Sequence, residues 1–247
     1  MSDRMQYHRM EVHPKHPELK TFVASIPLRF ERGEGDVIYK GRNELRRMEY
    51  QGCSYVVKSF RRPHLLNRIV YGTLRASKAK RAYYNGLELL QIGVSNPLPI
   101  GYVEVRAGLL FDKSFLITAM SHCPYTWKDL FFQDFSCKEQ VVREVGKLTA
   151  LLHNHGIALK DYSRGNILFK EEGGHVRLEL VDLNRMYRGK IDQKRGCKNL
   201  ERLPATPEMH RWLAEEYACA RGFDVETCLS LIKGYRSRQH DLIDGKY

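Results

Sequence analysis

The chain has 247 residues, 43% of them hydrophobic and 28% charged, with a formal net charge of +12. That composition suits one large domain or two lobes with real cores, and it excludes disorder as the overall state. No apolar run approaches the roughly 18 residues of a membrane-crossing helix, and the N-terminal MSDRMQYHRMEVHPKHPELK lacks a secretory apolar stretch, so a cytosolic protein is expected.

In chain order, MEVH reads as a short strand, HPKHP as a proline-broken turn, and ELKTFVASI as a helix ending at Pro27. The pattern then changes to strands. VIYKG, ELRRMEY and SYVVKSF are short β-rich runs parted by Gly41-Arg42-Asn43 and Gln51-Gly52-Cys53, as in an antiparallel meander. From Leu65 to Ile92 a helix is expected, with Ala79, Tyr83, Leu87 and Leu90 at spacings of three and four, until GVSNPLP breaks it. IGYVEVRA and LLFDKSFLITAM add two strands. The expectation is a five-stranded antiparallel sheet with one main helix, a lobe over residues 1–121 that includes an N-terminal extension, 1–30.

SHCPYT serves as a connector, and helical patterns dominate from Thr126 onward. CKEQVVREVGKLTALLHNHG is the clearest helix, with Val141, Val145, Leu148 and Leu152 on one face and Gly156 as its stop. His153 and His155, two residues apart near its end, read as capping or solvent-exposed, while Trp127 and Phe131-Phe132 are assigned to the core or the connector. GIALKDYSRGNILF follows. ILF and LELVDL then form two short strands around Glu172-Gly173-Gly174, and a helical tail completes a second lobe over 122–247. The fold class expected is α+β with two lobes.

Charge and cysteine usage narrow the partners. Between Lys40 and Arg81 stand twelve Lys or Arg against two acids, Glu44 and Glu49. Such a stretch attracts nucleic acid, a phosphorylated ligand or an anionic membrane surface, although nothing in it resembles an aromatic RNA-binding sheet or a recognition helix. The six cysteines are scattered without a C-x-x-C pair, which argues for reduced structural thiols.

Three oxygen-bearing side chains gather in the second lobe. Asp161 and Asn166 lie five apart on a loop, and Asp182 ends the strand LELVDL, a set suited to magnesium and nucleotide phosphates. Lys58 stands in the apolar strand YVVKSF, where a lysine needs an anion to meet. Strand lysine, helix, connector, Asp-x-x-x-x-Asn loop and a further Asp come in the order of a protein-kinase-like phosphotransferase. Each element is weak alone; the ordered set is strong.

More closely, GRNELRRMEY, VVKSFRRPHLLNRIVYG, KDYSRGNILF and LVDLNRMYRGKI resemble the bacterial lipopolysaccharide kinase (Kdo/WaaP) family, over about residues 30 to 203. The resemblance implies a protein-kinase-like two-lobed fold and transfer of the γ-phosphate of ATP, with Mg2+, to a Kdo or heptose hydroxyl of a lipid A precursor at the cytoplasmic face of the inner membrane. It puts Asp161 on the acceptor hydroxyl, Asn166 and Asp182 on magnesium, and Lys58 on the nucleotide phosphates. Glu88 becomes the helix glutamate that pairs with Lys58, although it lies off the apolar stripe, and Gly41, Arg42 and Asn43 become a shortened phosphate loop. Implied partners are the anionic glycolipid and the membrane surface, without nucleic acid; oligomeric state is open. Leu159-Lys160-Asp161 replaces the kinase His-Arg-Asp, and Asp182-Leu183-Asn184 replaces Asp-Phe-Gly. A protein or small-molecule acceptor, an inactive pseudokinase and a nucleic-acid binder stay as alternatives.

Overall fold

A computed structural model describes residues 6–61, 76–107 and 110–244. The first part of the helix expected from Leu65, with Arg62, Arg68 and Arg75 of the basic stretch, lies outside the described residues. The chain divides into two compact units, one of residues up to Glu88 with Pro97–Met120, the other of Leu89–Asn96 with residues from Ser121 onward.

The first unit is built on an antiparallel sheet. Its strands are β1 (Gln6–Val12), β2 (Asp36–Lys40), β3 (Glu44–Tyr50), β4 (Cys53–Phe60), β5 (Pro99–Ala107) and β6 (Leu110–Ala119), in the spatial order β1-β5-β6-β4-β3-β2. Six strands stand where five were expected, because the MEVH segment extends and pairs along β5, from Gln6 opposite Ala107 to Val12 opposite Gly101. The N-terminal extension is therefore part of the sheet.

Helix α1 (Lys20–Glu31) runs through Pro27 instead of ending there. A proline inside a helix costs about 3 kcal/mol, but Phe22, Val23 and Ile26 are fully buried against one sheet face, each contributing roughly 1.5–3 kcal/mol. Continuing the helix also delivers Phe30 to the same cluster, where it packs on Phe115 and under the Arg46 guanidinium.

Helix α2 (Lys78–Gln91) covers the opposite face, where Phe60, Ala79, Tyr83 and Tyr102 are buried together. On the α1 face sit Met48, Tyr55, Val57 and Ile117. Two covered faces explain why β4 reads as a nearly continuous apolar run.

The second unit packs around α3 (Lys138–Asn154), whose Val141, Val142, Val145 and Leu152 are buried in one large cluster. Around it stand β7 (Tyr125–Thr126), β8 (Ile157–Leu159), β9 (Ile167–Glu172), β10 (His175–Leu180) and β11 (Met186–Arg188). Helices α4 (Gln193–Leu200), α5 (Pro207–Arg221) and α6 (Val225–Asp244) follow. Strands β10, β9 and β7 form one small sheet, and β11 and β8 another. Gly156, at φ 69°, ends α3 in the left-handed region, and a Cβ there would meet the Gly189 carbonyl oxygen at 2.9 Å. All six cysteines are free thiols, four of them buried.

Candidate functional site

The loop after β8 is held from several sides. Lys160 N–H donates to the Arg185 carbonyl at 3.1 Å, and Arg202 Nη1 donates to the Lys160 carbonyl at 2.8 Å. Tyr162 is completely buried, with its hydroxyl 2.7 Å from Thr149 Oγ1. Because Thr149 spends its own proton on the Val145 carbonyl, Tyr162 is the donor of that pair. Trp127, in the 3-10 turn Trp127–Phe131, is buried and donates its indole N–H to the Pro204 carbonyl, while Lys128 N–H reaches the Arg164 carbonyl at 3.2 Å.

Within this frame Asp161, Asn166 and Asp182 come together. Asn166 Nδ2 donates to the Asp161 main-chain carbonyl at 2.7 Å, and Val181 N–H, next to Asp182, donates to the Asn166 carbonyl at 3.0 Å. The amide hydrogens of Asn166 thus face Asp161, and its Oδ1 remains to accept a cation. Asp182 occupies the left-handed region at φ 60°, where a non-glycine residue is strained, and Asn184 Nδ2 donates to its Oδ1 at 2.5 Å. One carboxylate and one amide oxygen fit magnesium, which completes its shell with water and phosphate oxygens.

The sequence missed the cations around Asp161. Arg185 Nη1 lies 3.4 Å from each carboxylate oxygen, and Arg202 Nη1 lies 3.7 Å from Oδ1. Both arginines come from segments after the loop, so no local spacing announced them. Lys160 and Arg164 are exposed on the loop itself.

His153, expected at a cap or in solvent, is instead buried, with Nδ1 2.9 Å from the Tyr217 hydroxyl and Nε2 3.1 Å from Asn199 Oδ1. Asn199 Nδ2 in turn donates to the Leu159 carbonyl at 2.8 Å, one residue before Lys160-Asp161. Burial pushes the His153 imidazole down to about 4, so it is neutral. With Asn199 Oδ1 an acceptor, Nε2 carries the proton and Nδ1 accepts from Tyr217. One signal was present: His153 lies four residues after Thr149, on the face of α3 that carries Val142 and Val145. His155, by contrast, is exposed, its ring nitrogen 3.0 Å from the Leu151 carbonyl.

The other predicted residues lie in the first unit. Lys58 is half-buried on the α2-covered face, opposite Leu45 and Leu116 in register, its Nζ 5.3 Å from the Phe60 ring centre. Glu88 is half-buried near the end of α2. Gly41, Arg42 and Asn43 form the tight β2–β3 turn, closed by Gly41 N–H on the Asn43 carbonyl, and Asn43 Oδ1 accepts from Arg61 N–H. Arg46 and Arg47 of the basic stretch are spent on Glu44 and Asp36, at 2.6 and 2.8 Å. In the connector, Met120 N–H donates to the Ser54 carbonyl and Cys123 N–H to Ser121 Oγ, so those two donors serve the fold. Phe131 and Phe132, assigned to core or connector, are exposed at 39% and 70%.

Residues 34–221 match the sequence model of the lipopolysaccharide kinase (Kdo/WaaP) family. No curated protein matches the chain. Among solved structures it is similar to one described as WaaP in complex with acyl carrier protein, with TM-score 0.62 and 18% identity over 93% of this chain and 98% of that one. A structure of WbdD with the kinase inhibitor LY294002 aligns at TM-score 0.48 and 15% identity, covering 81% of this chain and 44% of that one. The first likeness is one of fold, and it is protein-kinase-like.

Proposed function

Because this chain belongs to the lipopolysaccharide kinase (Kdo/WaaP) family, we propose that it is an ATP-dependent kinase that phosphorylates a Kdo or heptose hydroxyl of the lipopolysaccharide inner core. The observation that carries the reading is the stitched set of Asp161, Asn166 and Asp182, joined by the Asn166 amide and the Val181 N–H. Asp161 orients the acceptor hydroxyl and takes its proton as the sugar oxygen forms its bond to the γ-phosphorus and ADP departs with the electrons of the broken P–O bond. Asn166 Oδ1 and the Asp182 carboxylate would hold a magnesium ion. When bound, that ion supplies positive charge against the phosphate oxygens. Lys58 adds a further cation for the phosphates, with Glu88 as its helix partner, and the Gly41-Arg42-Asn43 turn offers the main-chain N–H groups of Arg42 and Asn43 to them. The sheet unit and the helical unit serve as the two lobes of the kinase.

The acceptor reading extends to location. Phe131 and Phe132 stand exposed beside a segment tied to the Asp161 loop, with Lys128 Nζ 5.5 Å from the Phe132 ring centre. An apolar pair edged by the Lys128 ammonium supports peripheral contact with an anionic membrane carrying the glycolipid. The test is transfer of labelled γ-phosphate to Kdo-lipid A and to heptosylated acceptors in parallel. Asp161→Ala is expected to lower transfer at least about a thousandfold with an unchanged unfolding midpoint. Transfer by that variant at the wild-type rate removes the assignment.

A further inference from the structure

Asp161 is surrounded by more positive charge than it can neutralise. Arg185 and Arg202 both approach it, yet their contacts of 3.4 and 3.7 Å are longer than the 2.7–2.9 Å or so of a closed guanidinium–carboxylate pair. Their side chains are 57% and 47% exposed, and the carboxylate 31%. Two guanidinium groups beside one carboxylate leave a net positive charge at the point where an acceptor hydroxyl must arrive.

These arginines are also positioned in advance. The Arg185 carbonyl accepts from Lys160 N–H, and Arg202 Nη1 is fixed on the Lys160 carbonyl. A purely structural pair would close on Asp161 and lie shielded. Here Arg202 is anchored to the loop through its guanidinium and Arg185 through its main-chain carbonyl, and both guanidinium groups are open to solvent and slack against Asp161. Such an arrangement suits a ligand carrying its own anion.

We propose that Arg185 and Arg202 form an anion subsite for the acceptor, binding a carboxylate or phosphate that lies near the hydroxyl to be phosphorylated. The proposal rests on the kinase reading above and goes beyond it by naming what the acceptor must carry. The arriving anion draws the guanidinium groups away from Asp161. Its carboxylate oxygens then turn to the acceptor hydroxyl, so the loop engages only an acceptor with the right charge beside the right hydroxyl. A neutral sugar leaves both arginines on Asp161 and is a poor substrate. Specificity thus comes from competition for the same two cations.

Three glycolipids decide it: Kdo-lipid A, the same molecule with its sugar carboxylates methyl-esterified, and its dephosphorylated form. Binding to the full chain is titrated by tryptophan fluorescence, and phosphate transfer is followed alongside. The wild type is expected to bind one neutralised form at least about tenfold more weakly than the parent, the form naming the source as carboxylate or phosphate. Arg185→Gln, which leaves the main-chain carbonyl that accepts from Lys160 N–H, and Arg202→Gln, which keeps a side-chain N–H donor, are expected to erase that preference, and Arg185→Lys to keep part of it. Equal binding of all three glycolipids by the wild type overturns the subsite, as does a preference unchanged in both Gln variants. Transfer to an inner-core acceptor without discrimination leaves the kinase reading standing and removes the subsite. Discrimination in binding without transfer to any acceptor, the heptosylated one included, does the reverse.

Discussion

At the scale of single residues, Asp182 shows how a site can depart from local preference. Its φ of 60° belongs to the left-handed region, which costs an L-residue roughly 1–2 kcal/mol and glycine almost nothing. Asn184 Nδ2 and the strand bonds around Val181 hold the carboxylate there. Two substitutions separate backbone from chemistry. Asp182→Gly is expected to unfold later than Asp182→Ala by about 1 kcal/mol in urea titrations, because glycine accepts the backbone that alanine strains. Both are expected to lose magnesium-dependent phosphate transfer. A glycine variant that kept activity would place the metal elsewhere. The residue itself was legible in LVDLNR; its conformation was not, since nothing in that string requires a positive φ.

At the scale of elements, the loop before Asp161 is anchored by a helix that the sequence described well and by a residue it misplaced. Val141, Val145 and Leu152 lie on the buried face of α3 as periodicity predicts, with Leu148 partly buried against the same cluster, but His153 continues that face instead of leaving it. A polar residue on an apolar stripe is read as exposed unless its partners are known. Those partners, Tyr217 on α5 and Asn199 on α4, come from 64 and 46 residues further along. The relay has a pH consequence. His153 titrates near 6.5 in the unfolded chain and at about 4 in the folded one, so protons bind preferentially to the unfolded state between those values. Its contribution is intact above pH 6.5 and is lost as pH falls toward 4, amounting to about 3 kcal/mol across the window. Urea midpoints measured at pH 7 and pH 5 are expected to fall less in His153→Gln than in the wild type. Equal slopes in the two proteins would mean that the histidine is already charged when folded.

For the whole molecule, the sequence revealed order and alternation but not what each element covers. The strands of the first unit, the α3 helix and the Asp161-Asn166 pair were legible because their signals are local. The place of the MEVH strand in the sheet and the length of α1 were not, because pairing with β5 and burial of Phe22, Val23 and Ile26 are decided by distant residues. The same limit hid the exposed Phe131-Phe132 pair, whose composition reads as core. Among the described residues no helix is long and apolar enough to cross a membrane. A net charge of +12 supplies attraction, worth about 1 kcal/mol for each basic side chain brought near anionic lipid, and each phenylalanine buried from water adds roughly 1.5–3 kcal/mol. Phe131→Ser with Phe132→Ser is therefore expected to weaken flotation on phosphatidylglycerol-containing vesicles by at least about tenfold. Raising salt should weaken the wild type as well, by screening the charges while leaving the apolar contribution. Binding of the double variant equal to that of the wild type would assign membrane contact to another face. Loss of vesicle binding with transfer to detergent-dispersed acceptor retained is the expected pattern, because the pair borders the loop without supplying any of its ligands.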